Sequence, residues 1–168
     1  STNPSWIGLD GQGTLQLESV WVHVDHFVVH GCDGSTATTD GGWLDLLDPD
    51  APVTVASPAD TWCSIELTIV PVPAPANLDF QSQASGWMTG TDVLGAPFSI
   101  ALRQQQVATI DTDATPADQA YHLVVDVIPW LEGLDLTQAR DADLVGTWDG
   151  SASLFSDDGD GIWSEGID

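Results

Sequence analysis

Residues 14–30 read TLQLESVWVHVDHFVVH, the longest continuous pattern in the chain. Their β-branched and aromatic side chains favour a strand. Apolar residues occur at both odd and even positions, which predicts a strand covered on both faces or one that changes face through a bulge near Asp25. The residues behind this prediction are Val20, Trp21, Val22, Val24, Phe27, Val28 and Val29.

A second strand is predicted for residues 62–70, WCSIELTIV, because apolar and polar side chains alternate there. Leu67 and Ile69 share one face with Cys63, and Glu66 lies on the other. Cys63 is therefore expected on the core face. The prolines of residues 71–75 interrupt ladder hydrogen bonding and should end the strand.

The rest of the chain shows shorter strand patterns separated by turn signals, around a glycine-rich loop at residues 31–42. Thr115 and Pro116 suit the start of a short helical turn at 116–120, and a second fits at 136–143. We expect an all-β fold: an antiparallel β-sandwich, Ig-like or transthyretin-like, of seven to nine strands with one or two short helical turns. The further strands are predicted at 43–47, 53–56, 78–89, 98–110, 121–128 and 144–155.

These predicted elements divide the chain into three segments. Residues 1–13 are turn-rich and are expected as an extended N-terminal segment. Residues 14–155 form the predicted β-sandwich domain. Residues 156–168 form an acidic tail rich in Asp and Gly.

Acidic residues dominate the charge of the 168-residue chain. It has 26 Asp and Glu against two basic residues, Arg103 and Arg140, and a formal net charge of −24. Nucleic acid is a poor candidate partner because phosphate contacts need clustered Lys and Arg. Anionic membrane surfaces are disfavoured for the same reason. Divalent cations, cationic partners or a saline medium are the complements of this charge.

Two cysteines, Cys32 and Cys63, predict one disulfide in an exported protein. The alternative is a pair of buried free thiols in a cytosolic protein. No apolar run approaches the length of a membrane span. The chain starts at Ser1 without a leader pattern, so we expect a signal peptide to have been removed, and a lipid anchor upstream stays open. The expected location is extracellular or on the cell surface.

Three histidines, at 23, 26 and 30, would share one face of a helix. On a strand, parity separates His23 from His26 and His30. The remaining candidate is Trp21, His23 and Asp25 on one strand face, joined by His122 from a neighbouring strand, as a copper or zinc site. The Trp-x-His spacing resembles that of bacterial copper-binding surface proteins, in which an oxidised tryptophan helps to hold the metal.

The C-terminal tail, residues 156–168, reads SDDGDGIWSEGID, with Ser156, Asp158 and Asp160 at alternate positions. This pattern resembles the calcium loops of thrombospondin type 3 repeats and dockerins. Oxygen ligands recur at alternate positions in those loops, with glycine sixth, as Gly161 is here. Ile167 stands at the twelfth position, where those loops have a bidentate acidic residue, and Asp168 follows it at the thirteenth. The resemblance implies a calcium site of Ser156, Asp158, Asp160, Ile162 (carbonyl), Ser164 and Asp168.

No catalytic motif is present: the chain contains no GxSxG, HExxH or P-loop, and no GxGxxG that opens a helix. Residues 14–70 are similar in layout to β-sandwich domains of bacterial cell-surface lipoproteins, which implies a surface-exposed binding or structural role. We therefore expect a non-enzymatic extracellular module that self-associates or binds other surface proteins. A copper or zinc protein is the first alternative, and a carbohydrate-binding module using some of the eight tryptophans is the second.

Overall fold

The computed structural model describes residues 5–9, 13–48, 52–73, 83–103, 105–125 and 152–156. Every regular element within these ranges is a β-strand, so the all-β prediction is confirmed. Eleven strands are present there, and nine of them have five residues or more. In chain order they are β1 (Ser5–Leu9), β2 (Gly13–Gly31), β3 (Thr36–Asp45), β4 (Thr61–Ile69), β5 (Val72–Pro73), β6 (Gln83–Ala84), β7 (Gly86–Thr91), β8 (Pro97–Leu102), β9 (Gln106–Pro116), β10 (Tyr121–Val125) and β11 (Ala152–Ser156).

Strand β2, 19 residues long, is the centre of the seven-stranded main sheet. Its N-terminal part lies between β1 on one edge and β7 on the other, and its C-terminal part lies between β3 and β4. Strand β8 extends the sheet beyond β7, and β9 extends it beyond β4. All these pairings are antiparallel. The pairs β5–β6 and β10–β11 form two small sheets.

Two irregularities keep one face of β2 in the core along its whole length. The register shifts between Leu17 and Ser19 against β7, and between Val24 and His26 against β4. Each shift leaves one exposed acidic residue, Glu18 or Asp25, as the extra residue of a bulge. The buried positions change parity at both places: Leu15 and Leu17, then Val20, Val22 and Val24, then Phe27 and Val29. Of the two alternatives predicted for this strand, the bulge near Asp25 is therefore present, and the bulge at Glu18 is a second one that was not predicted.

The main core lies on this face of the sheet and is mostly aliphatic. Leu67 and Ile69 of β4 are buried there, as the alternation of that strand predicts. The core-face position predicted for Cys63 is wrong, because the register shifts at the start of β4 and Cys63 is partly exposed there, whereas Trp62 is buried. Full burial of such a side chain contributes about 1.5–3 kcal/mol. The cluster contains Leu15, Leu17, Val20, Val22, Val24, Phe27, Leu67, Ile69, Met88, Phe98, Ile100 and Ala108.

The predicted disulfide is present between Cys32 and Cys63, whose Cα atoms are 5.1 Å apart. It links the turn that follows β2 to the start of β4. Within that turn the Asp33 carboxylate accepts a hydrogen bond from the Ser35 N–H (2.9 Å), and Gly34 adopts a positive φ of 86°. The covalent link therefore holds β2 against β4 at the end of their ladder.

The predicted loop at residues 31–42 is wrong over most of its length, because β3 begins at Thr36. Its small and polar residues pair with β2 from His30 to Trp21. Gly41 is required here, since a Cβ at this position would collide with the carbonyl oxygen of Val24. The strand predicted at 53–56 is absent; the segment is irregular there, and the Ala56 N–H donates to Thr39 Oγ1 at 2.8 Å.

Two other boundaries differ from prediction. The single strand expected at 98–110 is two strands, β8 and β9, in different parts of the sheet. The helical turn expected at 116–120 is not helical: Pro116 ends β9, and a turn follows in which the Ala117 N–H donates to the Asp60 carbonyl at 2.9 Å. The helical turn expected at 136–143 lies outside the described residues.

The N-terminal segment contributes to the sheet rather than standing apart from it. Strand β1 pairs with the start of β2 over the whole range from Ser5↔Leu17 to Leu9↔Gly13. Near the other end of the fold, the rings of Trp62 and Tyr121 meet edge to face at 5.5 Å, which joins β10 to β4. Both contacts link segments whose own sequence patterns are weak.

Candidate functional site

The main sheet has an aromatic patch on the face opposite its core. We define this patch as Trp21, His23, Trp43 and Trp87. Trp21 on β2 lies directly opposite Trp87 on β7, and His23 lies directly opposite Trp43 on β3. Directly paired side chains have Cβ atoms about 5 Å apart, so three strands bring the patch together.

Burial differs within the aromatic patch. Trp87 is 7% exposed and packs with the fully buried Ala84 and Ala101. Trp21 and Trp43 pack against this small cluster but remain partly exposed. The patch thus has a buried base and two tryptophans that present ring surface to solvent. Partly exposed Trp is typical of contact surfaces, where its large apolar area and its N–H both find partners.

His23 is the polar member of the aromatic patch. Its ring meets Trp43 edge to face, with centroids 5.3 Å apart and an interplanar angle of 66°. Its backbone N–H donates to the Ser85 carbonyl at 2.8 Å, which fixes the position of the residue. Within the described residues the Nδ1 atom is buried and makes no hydrogen bond. His23 therefore joins the aromatic patch through the packing of its ring on Trp43.

Asp45 lies beside the aromatic patch, directly opposite Trp21 on β3. One of its carboxylate oxygens accepts a hydrogen bond from the Leu47 N–H at 3.0 Å. Partial burial raises the pKa of Asp45, and the nearby carboxylate of Asp48 adds to this effect, while the hydrogen bond from Leu47 opposes it. The carboxylate is thus partly desolvated next to an aromatic ring.

The transition-metal set predicted from sequence is not brought together by the fold. Asp25 is the exposed bulge residue, and its carboxylate bonds His26 Nδ1 at 2.7 Å. His122 lies on β10, opposite Phe155 of β11. No three His, Cys, Asp or Glu side chains of the described ranges are grouped so that they could hold a metal ion. Trp21 and His23 remain neighbours, but as members of the aromatic patch.

The bulge at Asp25 also overturns the predicted separation of the histidines. Because parity changes there, His26 and His30 lie on the same sheet face as His23. Spacing along a strand still keeps successive members about 10 and 13 Å apart. His26 and His30 each contact a different carboxylate. His26 forms hydrogen bonds with the Asp25 carboxylate and with Thr68 Oγ1 (3.2 Å). His30 Nε2 lies 3.9 Å from the Glu66 carboxylate.

The predicted calcium loop falls almost wholly outside the described residues. Only Ser156, the last residue of β11, belongs to them. Its remaining members, Asp158, Asp160, Ile162, Ser164 and Asp168, are outside the ranges that the structure describes. The calcium site stays a prediction.

Sequence reasoning missed Trp43, Asp45 and Trp87 as members of one site. The segment GGWLDLL does contain a signal, because Trp43 and Asp45 are two residues apart and so share a strand face. Which strand lies next to them, and in which register, cannot be obtained from that spacing. Trp87 joins only because β7, which is distant in the chain, pairs with β2.

Comparisons with protein-family models, with curated proteins and with solved structures find no match to this chain. The similarity to lipoprotein sandwiches and to calcium loops therefore stays a prediction. Among the described residues no helix has the length and apolar character needed to cross a bilayer. The disulfide indicates an oxidising, exported compartment.

Proposed function

We propose that this protein is a non-enzymatic extracellular β-sandwich module, a surface binding domain whose contact face is the aromatic patch. The observation that supports it is the placement of two partly exposed tryptophans, Trp21 and Trp43, over the buried base of Trp87. A rigid sheet holds these side chains in place, which lowers the entropic cost of binding. The disulfide suits a domain that works outside the cell.

The arrangement favours binding over the copper or zinc alternative. The His23 ring packs edge to face on Trp43, and neither Asp25 nor His122 forms a group of three ligands with it among the described residues. A carbohydrate-binding module remains the second candidate, because a sugar ring also stacks on exposed tryptophan surface. The two partly exposed rings of the aromatic patch are the observation in its favour.

Hydroxyl-radical footprinting tests the binding proposal. The exported protein is labelled on intact source cells and again after purification, and oxidation is quantified by mass spectrometry. We expect Trp21 and Trp43 to be protected on the cells and labelled in the purified protein. Trp62, which is 6% exposed and lies away from the patch, is the control and should label weakly in both states. Equal labelling of Trp21 and Trp43 in the two states would contradict the proposal.

A structural role in a surface assembly belongs to the same proposal, with divalent cations screening the −24 charge. The tail at 156–168 would bind calcium weakly, in the range of about 10⁻⁴–10⁻³ M typical of extracellular modules. Its test is the calcium-induced rise in melting temperature of the native protein against Asp158→Asn/Asp160→Asn. Equal rises would mean that calcium acts on the acidic surface as a whole.

A further inference from the structure

The aromatic patch continues into a carboxylate across neighbouring strands. One row of directly paired residues runs Asp45 (β3), Trp21 (β2), Trp87 (β7). Trp43 lies two residues from Asp45 on the same strand, diagonal to Trp21 and about 7 Å away in a regular sheet. Three partly exposed side chains, Trp21, Trp43 and Asp45, therefore surround one position on the sheet surface.

The chemistry of that position suits an organic cation. The negative face of an indole ring attracts ammonium and guanidinium groups, and Trp is the best of the aromatic side chains for this contact. Asp45 is a partly desolvated carboxylate, and no ion pair joins it to a basic side chain of the described residues. A cation placed between the rings and the carboxylate would therefore replace solvation that Asp45 has partly lost.

We propose that Trp21, Trp43 and Asp45 form a docking site for an arginine or lysine side chain of a partner protein. The inference rests on the proposed binding function and names the chemistry of the partner. The partner is a basic protein, since a chain of −24 charge attracts positively charged surfaces over long distances. The cationic side chain would be the anchor at the centre of that contact.

A second copy of this chain is a poor occupant of the site. The chain has no lysine, and its two arginines are Arg103 and Arg140. The guanidinium of Arg103 donates to the Gln83 carbonyl at 3.5 Å, on the β8 side of the patch and away from Asp45. Copies that each carry −24 also repel one another. A free small cation is less suited than a protein side chain, because small ligands favour concave pockets and this site lies on a sheet face.

Binding of a hexa-arginine peptide to the full chain tests the proposal. Calorimetry at about 0.15 M salt compares the native protein with Asp45→Asn, Trp43→Leu and Asp40→Asn. Asp40→Asn is the matched control, because it removes the same charge from the same strand. Asp40 lies opposite His26 rather than opposite a tryptophan. We expect Asp45→Asn and Trp43→Leu each to weaken binding about tenfold, and Asp40→Asn less than about twofold. Trp43→Phe should recover part of the loss.

The outcomes separate a specific site from general attraction. Equal weakening by Asp45→Asn and Asp40→Asn would overturn the proposal, because the peptide would then respond to net charge alone. Tetramethylammonium that binds as tightly as hexa-arginine would also overturn it, since the site would then accept a free small cation. Melting curves of each variant check that folding is intact. A third outcome is that Trp21 and Trp43 are protected on cells while hexa-arginine binding does not depend on Asp45. The cation site would then be wrong, and the proposed binding function would still hold.

Discussion

The two faces of the main sheet differ in the burial and polarity of the side chains that the same strands place on them. The core face of β2 is apolar throughout, and its residues are almost inaccessible from Leu15 to Phe27. The opposite face changes character along the strand, from tryptophan at Trp21 to His26 and His30, which contact carboxylates. Packing fixes the first face closely, whereas the second face is free to vary with function.

Two bulges make this difference between the faces possible. Strict alternation after Leu17 would place Val20 and Val22 on the outer face. The extra residues Glu18 and Asp25 reset the parity, so that buried positions follow the core. As a consequence, both acidic bulge residues are exposed, and the histidines after Asp25 lie on the same outer face as the aromatic patch.

Inserting an alanine directly before Trp21 should have the largest effect, because β2 pairs there in regular register and has no bulge to absorb an extra residue. Trp21 and His23 would then face the core, and Val22 and Val24 would face outward. We expect the protein not to fold, as judged by loss of the cooperative melting transition. Inserting an alanine after Thr54, an exposed residue of the irregular segment at 52–57, is the control and should leave the transition intact. A folded, cooperative insertion variant in β2 would contradict this account of the two faces.

The disulfide should have the next largest effect, since it fixes the end of β2 against β4 beyond the bulge. Cys32 and Cys63 are 31 residues apart, and closing such a loop contributes roughly 3–4 kcal/mol to the free energy of unfolding. The variant Cys32→Ser/Cys63→Ser should lose this amount in urea titrations. A reducing agent should produce a similar loss in the native protein and none in the variant. A variant as stable as the oxidised protein would refute the expectation.

A pair of matched valines compares the two faces directly. Val24 is fully buried on the core face, and Val28 is partly exposed on the outer face of the same strand. Val24→Ala should cost about 2–3 kcal/mol, from lost transfer energy and the cavity left behind. Val28→Ala should cost less than about 1 kcal/mol. Urea unfolding measures both, and equal costs would mean that the outer face is covered as completely as the core.

Asp45→Asn should have the smallest effect on stability and a distinctive pH dependence. Burial raises the pKa of Asp45, so the unfolded chain loses this proton at lower pH than the folded chain does. Stability contributed by the protonated form is therefore lost as pH rises from about 3.9 through the folded pKa. The substituted amide cannot ionise and keeps the acceptor for the Leu47 N–H. The variant should melt slightly higher than the native protein near neutral pH, with no gain at a pH below the unfolded pKa.

A decrease in the melting temperature of Asp45→Asn near neutral pH, instead of the expected increase, would be informative about the outer face. A melting temperature of Asp45→Asn below that of the native protein would show that a cationic group of this chain already stabilises the carboxylate. The control is Asp40→Asn, an exposed position on the same strand. Its melting temperature should differ little from that of the native protein at either pH.

The sequence by itself determined the strand class, the long strand β2 and the core positions Leu67 and Ile69 of β4. It also indicated the disulfide and the bulge near Asp25. These features depend on side chains close together in sequence, or on parity, and local chemistry is enough to specify them. Strand β3 was missed for the complementary reason. Its small and polar residues have weak strand propensity, and it exists because the β2 edge supplies hydrogen-bond partners.

Only the tertiary structure decided the composition of the aromatic patch. Trp21, Trp43 and Trp87 come from three strands that are far apart in the chain, and register alone brings them together. A one-residue slip in either pairing would move a tryptophan to the core face. The same dependence explains why His23, Asp25 and His122 share no site, since His122 belongs to the separate β10–β11 pair. Local patterns place a residue on a face of its own strand, but its neighbours across the sheet follow from packing of the whole chain.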